Sequence, residues 1–235
     1  MSSHTGKPAG QVQQNDPSEL LEVFDARGRP TGRARTRAAI HLDGDWHQAF
    51  HCWILRAGRG GREIVLQRRS PRKDTFASRW DAAAAGHWRF GESAEEAARE
   101  INEELGLDVP FSALRWVGRE RLARHFPNGL IDREYHQVYA FAYDAPLATY
   151  RPDPNEVSAL AAVPAHELIE LVLGRRERLE ATEAVRVEPS GALVPEPIEL
   201  RRADLVPYSA ARLRRLLRGN TRRPGRVLWS AKSHH

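Results

Sequence analysis

Cysteine is almost missing from this chain: Cys52 is the only one among 235 residues. A lone thiol excludes an internal disulfide and fits a reducing compartment. No run of 18 apolar residues is present, so a membrane-spanning helix is excluded. The first residues lack the basic segment and apolar core of a secretory signal, and a cytoplasmic location is the expectation. Internal repeats are lacking as well. What remains is a chain with 41% apolar residues, long enough for one substantial core plus extensions.

Charge is unevenly spread. The formal net charge is +5, and residues 175–235 hold 14 Lys and Arg against 7 Asp and Glu. Nearly all the basic residues are Arg, which genome composition explains as readily as function. A basic tail can attract nucleic acid or anionic metabolites. A solvated, poorly ordered tail is the simpler account, and nucleic-acid binding is the less favoured one.

Residues 1–17 are polar with Gly and Pro and read as disordered. Glu19–Asp25 reads as a short strand, followed by the turn Arg27-Gly28-Arg29-Pro30. Ala34–Leu42 suits either a short helix or an extended segment. His47–Leu55 is apolar and aromatic enough for a buried strand, and Glu63–Arg69 follows a Gly-rich turn as a second. WDAAAA, residues 80–85, is a further short strand. Leu114–Phe126 and Ile131–Tyr143 read as long strands joined by Pro127-Asn128-Gly129, a hairpin signal. Val157–Val163 is another strand, and Pro164–Leu173 a helix ended by Gly174. Strands alternating with two or three helices predict an α/β fold, a mixed sheet covered on both faces. The expected layout is a disordered segment over 1–17, a domain over 18–175, and a basic, partly helical extension over 176–235.

The most informative stretch runs from Gly86 to Leu107, GHWRFGESAEEAAREINEELGL. Ser93 with Glu96 three residues on is a capping-box start, and Gly106 is a helix stop. At about 100° per residue, Ala94, Ala98, Ile101 and Leu105 share one stripe. Glu96, Glu100, Glu103 and Glu104 share another face. Like charges so spaced cost about a few tenths of a kcal/mol per pair. A solvated acidic face is the ordinary account of such a helix. Clustered oxygen ligands also suit a hard divalent cation, Mg2+ or Mn2+, which relieves the repulsion.

Arg99-Glu100-Ile101-Asn102-Glu103-Glu104-Leu105-Gly106-Leu107 is similar, residue for residue, to the second half of the signature box of the Nudix hydrolases. That half reads Arg, Glu, apolar, any, Glu, Glu, any, Gly, apolar. The family's first half is Gly, five residues, Glu, then seven residues before the Arg. Gly86 and Glu92 satisfy the first spacing, but only six residues, Ser93 to Ala98, separate Glu92 from Arg99. The box is one residue short. Because the apolar stripe is unbroken from Ala94 to Leu105, an uninterrupted helix is expected, with the shortening absorbed in the loop from Gly86 to Glu92. The resemblance covers roughly residues 19–175. LQRRSPRKDTFASRWDAAAAGH, DGDWHQAFHCWIL and PNEVSALAAVP look like the branch that includes isopentenyl-diphosphate isomerase and hydrolases of poorly defined substrate.

The resemblance implies an α/β/α sandwich that cleaves a nucleoside diphosphate derivative or a related pyrophosphate, with Mg2+ or Mn2+ as cofactor. Glu100, Glu103 and Glu104 would hold the metal, which lowers the pKa of the attacking water. Arg99 would orient a carboxylate; otherwise it is a surface partner of Glu95 or Glu103. Glu156 is a candidate base or extra ligand, or else a surface residue at a strand entry. On the substrate side, Gly86 would admit phosphate close to the backbone, with His87 beside it. Trp88 is the aromatic best placed to stack a base. Arg68 and Arg69 alternate faces, so one of them would clamp a phosphate. His47, His51 and His136 lie on expected strands, where a hydrogen-bonded sheet histidine is the common case.

Two alternatives stand beside hydrolysis. Possible counterparts of the isomerase's metal ligands are His47, His87, Asp132, Glu134 and Glu104, with His41 one place off the expected spacing. The isomerase's proton-carrying Cys just before its Gly-His pair is Ala85 here, and alanine is neither acid nor base. Cys52 is expected to pack as a small apolar residue. The other alternative is an inactive nucleotide- or protein-binding module using RLRRLLRG and NTRRPGR as an arm. The substrate and the oligomeric state do not follow from the sequence; a homodimer is open.

Overall fold

The protein is described by a computed structural model over residues 16–218. The expectation for residues 1–17, apart from its last two, lies outside the described residues, as does NTRRPGR. Leu20–Phe24 (β1) and Pro30–Thr36 (β2) form an antiparallel hairpin across the Arg27 turn. Arg37–Asp43 (α1) follows directly, so the stretch left between helix and extended chain is both. The Thr36 side chain accepts from the Ala39 N–H at its start, and Gly44 at φ 69° closes it.

Trp46–Gly58 (β3) and Gly61–Arg69 (β4) make the next hairpin. The segment expected as one short strand is two, Trp80–Asp81 (β5) on β4 and Ala84–His87 (β6) on β3. The helix expected to run unbroken is also two, Ala94–Ala97 (α2) and Arg99–Leu105 (α3). Between them the Ala98 N–H bonds back three residues to the Glu95 carbonyl, and Ile101 likewise to Ala98. This tightened turn interrupts the expected helix inside the short box. The expected capping box at Ser93 and Glu96 is present.

Arg115–His125 (β7) and Ile131–Ala142 (β8) pair across the Asn128-Gly129 turn. Val157–Pro164 (β9) then pairs with β4, and Ala165–Val172 (α4) packs beside it. β3 is the axis of the mixed sheet. It runs parallel to β8 from Trp46 to Leu55, and antiparallel first to β6 and then to β4 on its other side. Its period of two sends Phe50, Cys52 and Ile54 into one apolar core with Ile101 and Leu105 of α3. Trp53 and Leu55 enter a second core with Leu168 and Leu171 of α4. The sheet is therefore sandwiched between helices, the α/β/α arrangement.

The largest departure follows residue 175. Leu179–Glu180 (β10), Glu183–Val187 (β11), Leu193–Pro195 (β12) and Glu199–Leu200 (β13) continue the fold, with β11 pairing to β9 in the main sheet. Ala210–Leu217 (α5) packs on the second core. Up to residue 218 the basic extension is not a solvated tail, and RLRRLLRG is mostly this helix rather than a loose arm. Leu179, Leu200, Leu213 and Leu216 are buried in the domain core, and apolar spacing inside an Arg-rich stretch is what permits it.

Among the described residues, no helix is long and apolar enough to cross a membrane. Leu216 is fully buried. Leu216→Ala is expected to cost about 2–5 kcal/mol in urea denaturation, the range for truncating a core leucine. A peripheral tail helix would register less than about 0.5 kcal/mol.

Candidate active site and metal centre

The parallel register of β3 and β8 sets His47 opposite Glu134. Alternation along the strands then places His47 and His51 on the face that also carries Asp132, Glu134 and His136. His41 arrives from α1 and His87 from the end of β6. The rings of His41, His47 and His87 stand 5.1–5.2 Å apart, centroid to centroid. His47 Nε2 lies 3.8 Å from Asp132 Oδ1 and 3.7 Å from Glu134 Oε1, and His87 Nε2 lies 3.5 Å from the same Glu134 oxygen.

Burial holds these imidazoles neutral. It pushes His41 down to about 3, helped by His47 and Arg37, and lowers His47 and His87 as well. His47 Nδ1 donates to the Asp45 carbonyl at 3.1 Å, so its Nε2 carries the lone pair facing the two carboxylates. Neither His47 Nε2, His41 Nε2 nor Asp132 Oδ1 has a hydrogen-bond partner, although each is buried. Burial and the Glu134 charge raise Asp132 well above the usual carboxylate range. Burial opposes ionisation of Glu134 too, but His136, His87 and His47 outweigh it and keep Glu134 charged. Lone pairs converging without donors fit a divalent cation of the nitrogen-and-oxygen-loving kind.

The box carboxylates are arranged differently from the expected three-acid cradle. Glu100 and Glu104, four residues apart, point inward and are buried, whereas Glu103, three from Glu100, turns outward. Arg99 fills the space between acids: it donates to Glu92 at 2.7 Å, Glu100 at 2.6 Å and Glu103 at 2.7 Å. Glu92, despite the short box, is thus tied to the others. Glu104 accepts from Gln67 and from the Ala85 N–H, with Lys73 Nζ 3.5 Å away. Lys73 also pairs with the buried Glu156. Burial raises Glu100 well above its usual range and Glu104 to about 7. What approaches Gly86 is the Glu100 carboxyl: a Cβ there would stand 2.2 Å from Glu100 Cδ.

These groups border a cavity of about 70 Å³. His41, His87, Glu100, Asp132 and Glu134 line it, and Arg37, Arg69, Lys73 and Arg124 add positive charge. Of the alternating pair, Arg69 faces the cavity and bonds Asp81 at 3.1 Å, while Arg68 bonds Ser158 and lies over Trp80. Trp88 is also outside it, donating to the Glu92 carbonyl and bordering a separate depression. Sequence reading underweighted the strand histidines and missed Arg37, Lys73, Gln67, Arg124 and Tyr208. One signal was available: titratable residues at every second position, Asp132, Glu134 and His136, on one face of a strand.

The NUDIX domain family model matches residues 45–185. The chain belongs to the NUDIX domain family. An uncharacterized Nudix hydrolase of Clostridium acetobutylicum is 35% identical over 150 residues, 64% of this chain and 72% of that protein. The isopentenyl-diphosphate Delta-isomerase of Streptomyces griseus is 35% identical over 154 residues, 64% of this chain and 74% of that enzyme. A solved structure from Deinococcus radiodurans shares 26% identity at a TM-score of 0.47, covering 66% of this chain and 90% of that one.

In this Nudix chain the tight fit of Gly86 against Glu100 has a measurable consequence. Gly86→Ala is expected to cost about 1–3 kcal/mol through overpacking. Adding Glu100→Ala should recover most of it, giving a positive coupling energy in a double-mutant cycle by thermal or urea unfolding.

Proposed function

We propose that the protein is a divalent-metal-dependent Nudix hydrolase that cleaves a pyrophosphate bond in a nucleoside diphosphate derivative or a related diphosphate. The observation that carries this reading is the buried, unpartnered set of His41 Nε2, His47 Nε2 and Asp132 Oδ1 beside a wall of cationic side chains. His41, His47, His87, Asp132 and Glu134 would hold one ion. The imidazole share of that set favours Mn2+ or a similar borderline metal over Mg2+. The oxygen-only pair Glu100 and Glu104 is better matched to Mg2+. Glu103 would contribute indirectly, through the Arg99 guanidinium it shares with Glu100. A divalent ion here supplies charge neutralisation for the phosphates and a water acidic enough to attack phosphorus near neutral pH.

The chain's own residues do the rest. Arg69 and Lys73, with Arg37 and Arg124, would receive the non-bridging oxygens of the diphosphate. Glu104, pushed up to about 7 by burial, would give up its proton on taking a cation, and Glu156, which shares Lys73 with it, is the candidate base. Gly86 keeps the floor open for the Glu100 carboxyl.

Isomerisation of a prenyl diphosphate is the second reading, favoured by the kinship to the isomerases and by the histidine-rich metal set. Proton transfer argues against it. Ala85 holds the slot next to the Gly-His pair, and Cys52 is sealed in the core opposite Ala84, its thiol raised by burial.

The test is a screen of nucleoside di- and triphosphates, dinucleoside polyphosphates, nucleotide sugars and prenyl diphosphates with Mg2+ or Mn2+. Phosphate or nucleotide release is expected, with Glu104→Gln slower by roughly 100-fold or more and still folded. His47→Ala should lose bound Mn2+ in equilibrium dialysis. Rearranged prenyl diphosphate without phosphate release would establish the isomerase instead. Ligand binding without turnover would leave a binding module.

A further inference from the structure

Beyond the span of the family match, α5 sends one side chain all the way into the site. Arg212 is fully buried. Its Nε donates to Glu120 Oε2 at 2.6 Å, and its Nη2 lies 3.2 Å from His136 Nδ1. The Tyr208 ring stacks on the guanidinium, with Cζ 4.4 Å from the ring centroid. A guanidinium has donors and no acceptor. His136 Nδ1 must therefore offer a lone pair to Arg212, and the ring proton must sit on Nε2. That Nε2 is 2.6 Å from Glu134 Oε2 and donates to it.

We propose that Arg212 is a positioning residue: it selects the Nε2–H tautomer of His136, which pins one oxygen of Glu134 and aims the other at His47 and His87. The inference rests on the metal reading of that cluster. With Oε2 held by His136, Oε1 is the oxygen left facing His47 Nε2 and His87 Nε2. The opposite tautomer would put an N–H against Arg212 and a lone pair against the carboxylate, breaking both contacts. The same geometry removes a competing site. His51, Glu134 and His136 stand close enough to bind a second ion. Both nitrogens of His136 are already engaged, however, one of them by a cation. His136 instead acts as the outer partner that orients a ligand of the first ion.

The tautomer is read on metal-free protein from the 15N shifts of His136. Wild type should show an unprotonated Nδ1. Arg212→Met, which leaves Glu120 paired with Arg215, should shift His136 towards a mixture and weaken Mn2+ binding by about 10- to 100-fold. In a His136→Gln background, whose amide can still donate to Glu134, Arg212→Met should have no further effect on metal affinity. Should Arg212→Met not fold, Arg212→Lys keeps a charge for Glu120 and loses the forked reach to His136; the same two shifts are expected. An unchanged His136 spectrum with unchanged Mn2+ affinity would overturn the inference, as would additive losses in the double variant. Because the spectrum needs no metal, a wild type that binds no Mn2+ sinks the metal reading, while the spectrum still decides the tautomer claim.

Discussion

A buried imidazole lone pair aimed at a carboxylate is repulsive unless something positive lies between them. His47 is held in that orientation by its own strand, because its Nδ1 proton is spent on the Asp45 carbonyl. Much of the surrounding architecture serves to keep the arrangement in place. The parallel register of β3 and β8 aligns His47 with Glu134, α1 turns His41 inward before Gly44, and β6 ends with His87 over the same point. Burial keeps the rings from escaping the conflict by protonation, since the desolvation of an imidazolium outweighs the attraction of the nearby acids. A bound cation would relieve the conflict, as the proposed metal reading has it, and neutral imidazoles are the form in which histidine binds one.

The signature helix contributes differently from what its spacing suggests. Four acids on one helix would repel, and the fold separates them by function. Glu96 caps the helix start, Glu103 faces outward onto Arg99, and Glu100 and Glu104 turn inward. Arg99 is the arbiter: one guanidinium holds Glu92, Glu100 and Glu103 at hydrogen-bond distance. The cluster survives burial because every inward acid has a cation or a backbone donor near it. Glu100 leans on Arg99, and Glu104 on Lys73, Gln67 and the Ala85 N–H. The cost of burial remains visible in their raised proton affinities.

Local signals carried the reading a long way. The hairpin at Asn128-Gly129, the capping box at Ser93, the helix stop at Gly106 and the paired strands around the Gly-rich turn are all found where turn chemistry and periodicity place them. The apolar stripe on the box helix holds from Ala98 to Leu105, but before the tight turn Ala97 and not Ala94 enters the core, a shift that stripe continuity could not reveal. The histidine cluster was hidden for another reason. Its members lie on α1, β3, β6 and β8, and only the three-dimensional register of two parallel strands unites them. Residues 176–218 were misjudged because composition hid the spacing: Leu213 and Leu216 sit among four Arg between 212 and 218, yet lie on one buried stripe.

Cavity size bears on specificity. One water needs about 10–15 Å³ of such space, so a cavity of about 70 Å³ would, on the proposed reading, admit an ion with a few phosphate oxygens. The inner site would then read charge and metal geometry. On the same reading, what distinguishes one diphosphate from another would be read at the mouth. Two segments shape it. Thr75 and Phe76 belong to a loop in which Phe76 and Ser78 adopt φ of 49° and 61°, conformations that cost about 1–3 kcal/mol each in a non-glycine residue. Phe76 is braced by Phe126 and Arg124, and Arg124 in turn donates to the Pro207 carbonyl. Val206 and Tyr208 complete the rim from the C-terminal segment. That segment lies past the family match at residue 185, so on the proposed reading the non-phosphate half of a substrate would meet residues outside the matched span.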